Sequence, residues 1–371
     1  MKALATITFV FVAVVGRAMA GFEAGQAAPV APVLLSQTGL YAGGGTTQID
    51  PLNRPFSPQY PLWTDGAAKK RWIRLPEGAM IDATDLARWE FPVGTRFWKE
   101  FSFNGRKVET RMLWRATEAQ WVFATYAWND TQTDATLAPE TGIRNAADIA
   151  PGKRHTIPGI VECRSCHDSA RTEILGFDAL NLSDDRDPNA PHAERLTKDM
   201  VTLRTLTEEN LIFPTRTDLI ATPPRIVADS PQARAALGYL STNCGSCHNR
   251  ESSIASLGLI LKYSVTERGG GTSAPPAALA TTINQRGHWV VPEAQEQSRL
   301  ITPGHPASSA VIRRMTSRSP LSQMPPLGTV IVDREAVSLL TRFVEELEVG
   351  TCNPAPASPS TSAPPPASCS R

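Results

Sequence analysis

The chain carries two copies of a short cysteine and histidine motif, CRSCH and CGSCH. In each copy two residues separate the cysteines and a histidine follows directly: Cys163, Cys166 and His167, then Cys244, Cys247 and His248. Thiols at this spacing can add to the two vinyl groups of a porphyrin, and the next residue can bring an imidazole to the iron. The motifs therefore predict two covalently bound haem c groups, held by the four cysteines, with His167 and His248 as proximal iron ligands.

Other uses of paired cysteines fit these motifs less well. Two CxxC pairs can supply four zinc ligands, but zinc does not require a histidine directly after the second cysteine. A thioredoxin-like redox motif would need a βαβ setting, which neither flank offers. The other two cysteines, Cys352 and Cys369, lie in a tail rich in proline, serine and alanine, where they can pair or stay free.

A distal ligand for the second haem is suggested by the segment SQMPPLG. Met324 precedes two prolines, which stiffen the loop and suit a thioether that must be held against iron. No Met-Pro-Pro segment follows the first motif. Its sixth ligand is left open between Met200, which we place in a helix, His155, His192 and a vacant position.

Two helices are predicted around the second motif. Ser230 is a candidate N-cap with Pro231 at the first helical position, and this helix leads into the motif. Asp333 is the candidate N-cap of a terminal helix, in which apolar residues recur at helical spacing: Val337, Leu340, Val344 and Leu347.

The order of a helix, a CxxCH motif, a long loop, Met-Pro-Pro and a terminal helix resembles the class I cytochrome c fold over residues 230 to 348. The resemblance implies that Met324 lies opposite His248 on the iron. It also implies that the first and last helices cross near Gly238 and Phe343.

The N-terminal half predicts an antiparallel sheet. Asn104-Gly105 is a strong signal for a two-residue hairpin turn, and strands are expected in AKKRWIR and at residues 121–128. Counting from the turn predicts three facing pairs: Phe101 with Val108, Phe97 with Met112 and Thr95 with Trp114. Seven of the eight tryptophans lie between Trp63 and Trp128. They can form the core of the sheet or, alternatively, an exposed recognition surface for a polysaccharide or a protein.

The first twenty residues have the pattern of a secretory signal peptide. A basic start, a short apolar run and an Ala-x-Ala ending at Ala20 predict export, and we expect the mature protein in a bacterial periplasm. The formal net charge of +1 gives no overall attraction to nucleic acid or to an anionic membrane. No further stretch is long enough to predict a transmembrane helix.

The stretches PLWTDGAAKKRWIRLPEG, FPVGTRFWKEFSF and ETRMLW, together with the two motifs, resemble secreted bacterial dihaem c-type cytochromes. The resemblance runs from about Leu52 to Leu347. It implies electron transfer between a donor, such as a dehydrogenase, and a downstream acceptor. The alternative is a dihaem peroxidase-like enzyme with a reactive first haem, for which Glu173 is a candidate acid or base.

We therefore predict an α+β chain: an antiparallel β domain, followed by a mainly helical, cytochrome c-like region with two haem sites. The expected parts are a signal peptide (1–20), an aromatic-rich β domain (21–152), a first haem-binding segment (153–229), a second haem domain (230–350) and a disordered tail (351–371).

Overall fold

A six-stranded antiparallel sheet forms most of the first half of the described chain. The structure is a computed structural model that describes residues 29–169, 173–265 and 275–347. The signal peptide predicted for residues 1–20 and the tail with Cys352 and Cys369 lie outside these ranges. From Ala31 onward the described residues form one compact unit.

The strands of the main sheet follow in the order β1-β2-β4-β5-β6-β7. Two small sheets pair β3 with β10 and β8 with β9. The strand bounds are β1 Arg54–Pro55, β2 Ala68–Arg74, β3 Ile81–Asp82, β4 Arg96–Phe103, β5 Arg106–Thr117, β6 Gln120–Trp128, β7 Ala135–Leu137, β8 Ile143–Ala150, β9 Lys153–Ile157 and β10 Ile212–Phe213. The strands predicted in AKKRWIR and at residues 121–128 are confirmed as β2 and β6.

The predicted hairpin turn joins β4 to β5. Asn104 and Gly105 have φ values of 49° and 79°, the left-handed conformation that a tight two-residue hairpin requires. Next to the turn, Phe103 pairs with Arg106, as counting from the turn predicts.

Farther from the turn the predicted pairing is wrong by one residue. A β-bulge adds a residue to β5, so that Phe101 lies opposite Glu109, Phe97 opposite Leu113 and Arg96 opposite Trp114. Because side chains alternate along a strand, this single residue turns Glu109 and Arg111 toward the face that carries Phe101. The bulge therefore gives this face charged groups that the sequence count did not place there.

The tryptophans of the sheet serve the core. Trp72 and Trp98 are buried on one face with Leu35 and Leu40 of the N-terminal segment, whereas Trp121 is buried on the other face beside Phe97. Among the described residues no tryptophan is strongly exposed. This favours the core interpretation over a recognition surface of exposed indoles.

Seven α-helices occur within the described ranges: α1 Ile160–His167, α2 Leu203–Glu208, α3 Thr217–Ala221, α4 Pro231–Asn243, α5 Ala277–Ala280, α6 Ala310–Thr316 and α7 Arg334–Glu346. The α+β fold class is confirmed. Both predicted caps are confirmed as well, since Ser230 accepts a hydrogen bond from the Ala233 amide and Asp333 accepts one from the Ala336 amide, each at 3.0 Å. None of the described helices has the length and apolar character needed to cross a membrane.

Helices α4 and α7 pack together, as the resemblance implies, but Gly238 does not lie on their shared face. Phe343 of α7 is buried in one cluster with Ala235 and Ala236 of α4. Gly238 faces away from that cluster, because a Cβ added there would lie 2.0 Å from Cε1 of Tyr60. The glycine therefore accommodates Tyr60, in the segment before β2, whereas its neighbours in α4 make the contact with Phe343.

Candidate functional site

The first motif lies on a short helix against the main sheet. Helix α1 carries Cys163, Cys166 and His167, and it rests on β6. The His167 ring lies 5.4 Å from the ring of Phe123, and the Thr125 hydroxyl favours the ionised form of the nearby Cys163 thiol, against the effect of burial. Phe123 and Thr125 are two residues apart on β6 and so share one face of the sheet.

His167 is held in the state that a metal ligand needs. Its Nδ1 is hydrogen-bonded to the backbone carbonyl of Glu173, and since a carbonyl only accepts, Nδ1 carries the proton. Nε2 then keeps its lone pair. Burial lowers the pKa of His167 to about 4, with the nearby cations Lys99 and Arg111 adding to the effect, so the ring is neutral at pH 7.

The second motif begins where α4 ends. Cys244 closes the helix, and its carbonyl accepts hydrogen bonds from the amides of Cys247 and His248, at 3.1 and 2.8 Å. Gly245 fits a position that has no room for a side chain, since its Cβ would lie 2.3 Å from the Ser241 carbonyl oxygen. The sequence CGSCH therefore folds into one tight turn that holds both thiols and the imidazole on a short stretch of chain.

The His248 ring is also neutral, but its Nδ1 has no partner. Burial lowers its pKa, and the positive charge of Arg314 lowers it further. Nδ1 is buried without a hydrogen bond among the described residues. An imidazole in this state keeps donor and acceptor capacity that the protein leaves unused.

The two motifs meet, although they are far apart in sequence. The thiols of Cys166 and Cys247, the second cysteine of each motif, lie close enough for each to change the pKa of the other. Asn249 strengthens the junction: its Nδ2 donates to the carbonyl of Ser169 after the first motif at 2.9 Å and to that of Gly245 in the second at 3.0 Å. Sequence reasoning missed Asn249, because nothing in a single sequence distinguishes an asparagine beside a motif from any other.

The four motif cysteines are free thiols, and all are partly buried. Burial raises the pKa of Cys163 and raises that of Cys244 to about 12. The contact between Cys166 and Cys247 lowers the pKa of Cys247, because the Cys166 thiol can donate to it, and raises that of Cys166. Cys247 is therefore the most readily ionised, and hence the most nucleophilic, of the four.

Met324 is joined to α6 through the backbone of Arg314. The Met324 amide donates to the Arg314 carbonyl at 2.9 Å, and Arg314 is also the residue whose charge lowers the pKa of His248. The backbone of Arg314 therefore contacts the predicted distal ligand, and the charge of its side chain reaches the predicted proximal ligand.

Two of the candidate sixth ligands of the first haem are engaged by carboxylates. Nε2 of His155 lies 3.0 Å from Glu109 and Nδ1 lies 3.5 Å from Asp65. Burial alone would lower the pKa of His155, but these two carboxylates raise it overall. Both ring nitrogens therefore face acids, an arrangement that favours the imidazolium over a metal ligand.

His192 is engaged in the same way. Its Nε2 lies 2.9 Å from Asp333 and its Nδ1 lies 3.3 Å from Glu335, while the ring packs on Trp63. The third candidate, Met200, sits in a turn before α2, and its amide donates to the Thr197 carbonyl. The helix predicted around Met200 is wrong, because the helical residues begin only at Leu203.

The groups present are of the types that haem c attachment needs: free thiols, neutral imidazoles and a thioether. In addition, Nδ1 of His248 has no hydrogen-bond partner among the described residues. Within the described ranges, no three His, Cys, Asp or Glu side chains are grouped closely enough to hold a bare metal ion. No family model, curated protein or solved structure matches this chain. The function must therefore be argued from the site alone.

Proposed function

We propose that this protein is a dihaem c-type cytochrome that carries electrons. The observation that supports this most strongly is the junction of the two CxxCH motifs, where the side chain of Asn249 joins Ser169, just after the first motif, to Gly245 of the second. A chain that uses each motif independently has no need to bring them together. A chain that passes electrons from one motif to the other does.

The residues would act as follows. Cys163 and Cys166 would tether one haem, and Cys244 and Cys247 the other. His167 and His248 would be the proximal ligands, and Met324 the distal ligand of the second haem. When bound, haem supplies one-electron redox chemistry.

The protein prepares both imidazoles for this role. His167 reaches neutrality through burial and a hydrogen bond at Nδ1, and His248 through burial and the charge of Arg314. Neither ring must lose a proton at neutral pH before its Nε2 can bind. A second site with imidazole and thioether ligands leaves no position for a substrate, which suits a carrier.

The compartment and partners follow from this proposal and from the N-terminal segment. A c-type cytochrome with a signal peptide would work in a bacterial periplasm. Its partners would be redox proteins, with a dehydrogenase as donor and a further carrier or oxidase as acceptor. The near-neutral net charge of +1 does not favour a partner of either sign.

A peroxidase-like enzyme is the second candidate, and one observation favours it. His155 and His192 are both bound to carboxylates, so two of the ligands that would close the first haem are committed elsewhere. Glu173 is less well placed to act as the acid or base of a peroxidase. Its backbone carbonyl accepts a hydrogen bond from Nδ1 of His167, which is the proposed proximal ligand.

A stepwise reductive titration of the holoprotein separates these two functions. Visible spectra would be recorded at each step, with and without carbon monoxide, and the reduced protein would then be mixed with peroxide. A carrier shows two one-electron steps, weak carbon monoxide binding and slow oxidation by peroxide. Rapid carbon monoxide binding at one haem, together with oxidation by peroxide at enzyme-like rates, would overturn the carrier proposal in favour of the peroxidase.

A further inference from the structure

Three cations stand side by side across the sheet beneath the first motif. Arg71 of β2 lies directly opposite Lys99 of β4, and Lys99 lies directly opposite Arg111 of β5. We call these three residues the cationic row. Like charges at directly opposed positions repel each other, so the row is unfavourable unless anions compensate it.

The carboxylates of the protein pair with only two of the three residues in the cationic row. Arg71 pairs with Glu194 at 2.9 Å and Arg111 pairs with Glu109 at 2.6 Å. Lys99, between them, has no carboxylate partner among the described residues; its ammonium lies only over the Phe101 ring, 5.0 Å from the centroid. Burial, followed by the charges of Arg71, Lys69 and Arg111, lowers the pKa of Lys99 well below its ordinary value.

Two more features show unused binding capacity. Nη2 of Arg71 is buried without a hydrogen-bond partner among the described residues. Lys69 lies two residues before Arg71 on β2, so its side chain is on the same face of the sheet. It is a fourth basic residue there, and burial lowers its pKa to about 7. The buried carboxylate nearby, Glu109, is shared between Arg111 and His155. This part of the sheet therefore has more basic side chains than carboxylates to pair with them.

The cationic row ends at the first motif. Arg111 lies directly opposite Thr125 of β6, and both residues favour the ionised form of the nearby Cys163 thiol. Lys99 and Arg111 are also the cations whose charge reaches His167. The positive charges of the cationic row therefore act on any group that is attached at Cys163 and bound to His167.

We propose that the cationic row, with Lys99 at its centre, binds the propionate carboxylates of the haem attached through Cys163 and Cys166. This inference rests on the proposed function. Haem carries two propionates, and an unpaired lysine flanked by two arginines can accept them through charge-assisted hydrogen bonds. Among the described residues the second motif has no corresponding row of cations on a sheet, so the effect is expected at the first haem alone.

The test uses the full-length holoprotein with Lys99→Met, and Lys70→Met as its matched control. Lys70 lies between Lys69 and Arg71 on β2, but its side chain is exposed on the opposite face of the sheet. A nearby cation stabilises the reduced, more negative haem, so Lys99→Met should shift the midpoint potential of the first haem downward. The second haem, and both haems of Lys70→Met, should keep their potentials.

A second measurement separates binding from a merely structural role. In a Cys163→Ala/Cys166→Ala chain, which retains the second haem, Lys99→Met should raise the denaturant midpoint, because it removes an uncompensated cation. In the complete holoprotein the same substitution should lower the midpoint. A loss of similar size in both backgrounds, or an unmoved potential of the first haem, would overturn the inference.

Adding inorganic phosphate tests whether the cationic row binds a free anion instead of the haem propionates. If phosphate stabilises the complete holoprotein only when Lys99 is present, the row takes a free anion and the assignment to propionates fails. If the chain binds no haem at all, the proposed function fails instead. That outcome is visible in the absorption spectrum before any variant is compared.

Discussion

Glu109 is the buried carboxylate that holds the charged face of the sheet together, and Glu109→Gln should destabilise the protein strongly. It is fully buried, 2.6 Å from Arg111 and 3.0 Å from His155. Burial alone would raise its pKa, but Arg111 and His155 lower it from 4.5 to about 2. At about 1.4 kcal/mol per pKa unit, this shift corresponds to roughly 3 kcal/mol of stability at neutral pH.

The stability that Glu109 contributes should decrease as the pH falls. A carboxylate whose pKa is lower in the folded state contributes its stability above pH 4.5 and loses it as the pH falls toward about 2. The difference between wild type and Glu109→Gln should therefore be largest near neutrality and shrink across that window. Guanidinium unfolding of the holoprotein, followed by far-UV circular dichroism at several pH values, measures it.

The control for Glu109→Gln is Glu118→Gln, in the exposed turn between β5 and β6. This substitution should change stability by less than about 0.5 kcal/mol. A difference between wild type and Glu109→Gln that stays constant down to pH 2, or that is no larger than in the control, would refute the reasoning.

Other substitutions test the ligands and the turn of the second motif. Met324→Ala should alter the visible spectrum and lower the potential of one haem, and an unchanged spectrum would remove Met324 as a ligand. His155→Gln and His192→Gln should cost stability, because each removes one partner of a buried carboxylate, Glu109 or Asp333, yet keep the visible spectrum; a spectral change would identify a haem ligand. Gly245→Ala should reduce haem content by half because its Cβ has no space, whereas Gly45→Ala, which meets nothing within 4 Å, should retain both haems in a pyridine haemochrome assay.

Local features of the fold could be predicted because their causes are local. The Asn104-Gly105 turn needs only two residues that tolerate positive φ. Ser230 and Asp333 are caps because each side chain bonds an amide three residues away. The two CxxCH motifs are equally self-contained, so their donor atoms could be named from the sequence.

Long-range features could not be predicted, because they depend on residues that are distant in sequence. Counting outward from a turn cannot detect a bulge, and the bulge in β5 decides that Glu109 faces His155. The hydrogen bond from Asn249 to the Ser169 carbonyl joins two segments that share no pattern beyond the motif itself. Gly238 suggested a helix crossing, but the residue that needs its small size is Tyr60.

The proposed function depends most directly on covalent haem. The decisive measurement is the intact mass of the full chain after expression in a host that matures c-type cytochromes. We expect the polypeptide plus two haems for the wild type, and the polypeptide plus one haem for each of Cys163→Ala/Cys166→Ala and Cys244→Ala/Cys247→Ala. The mass of the bare polypeptide, or of a polypeptide that binds zinc through the four thiols, would contradict the proposal.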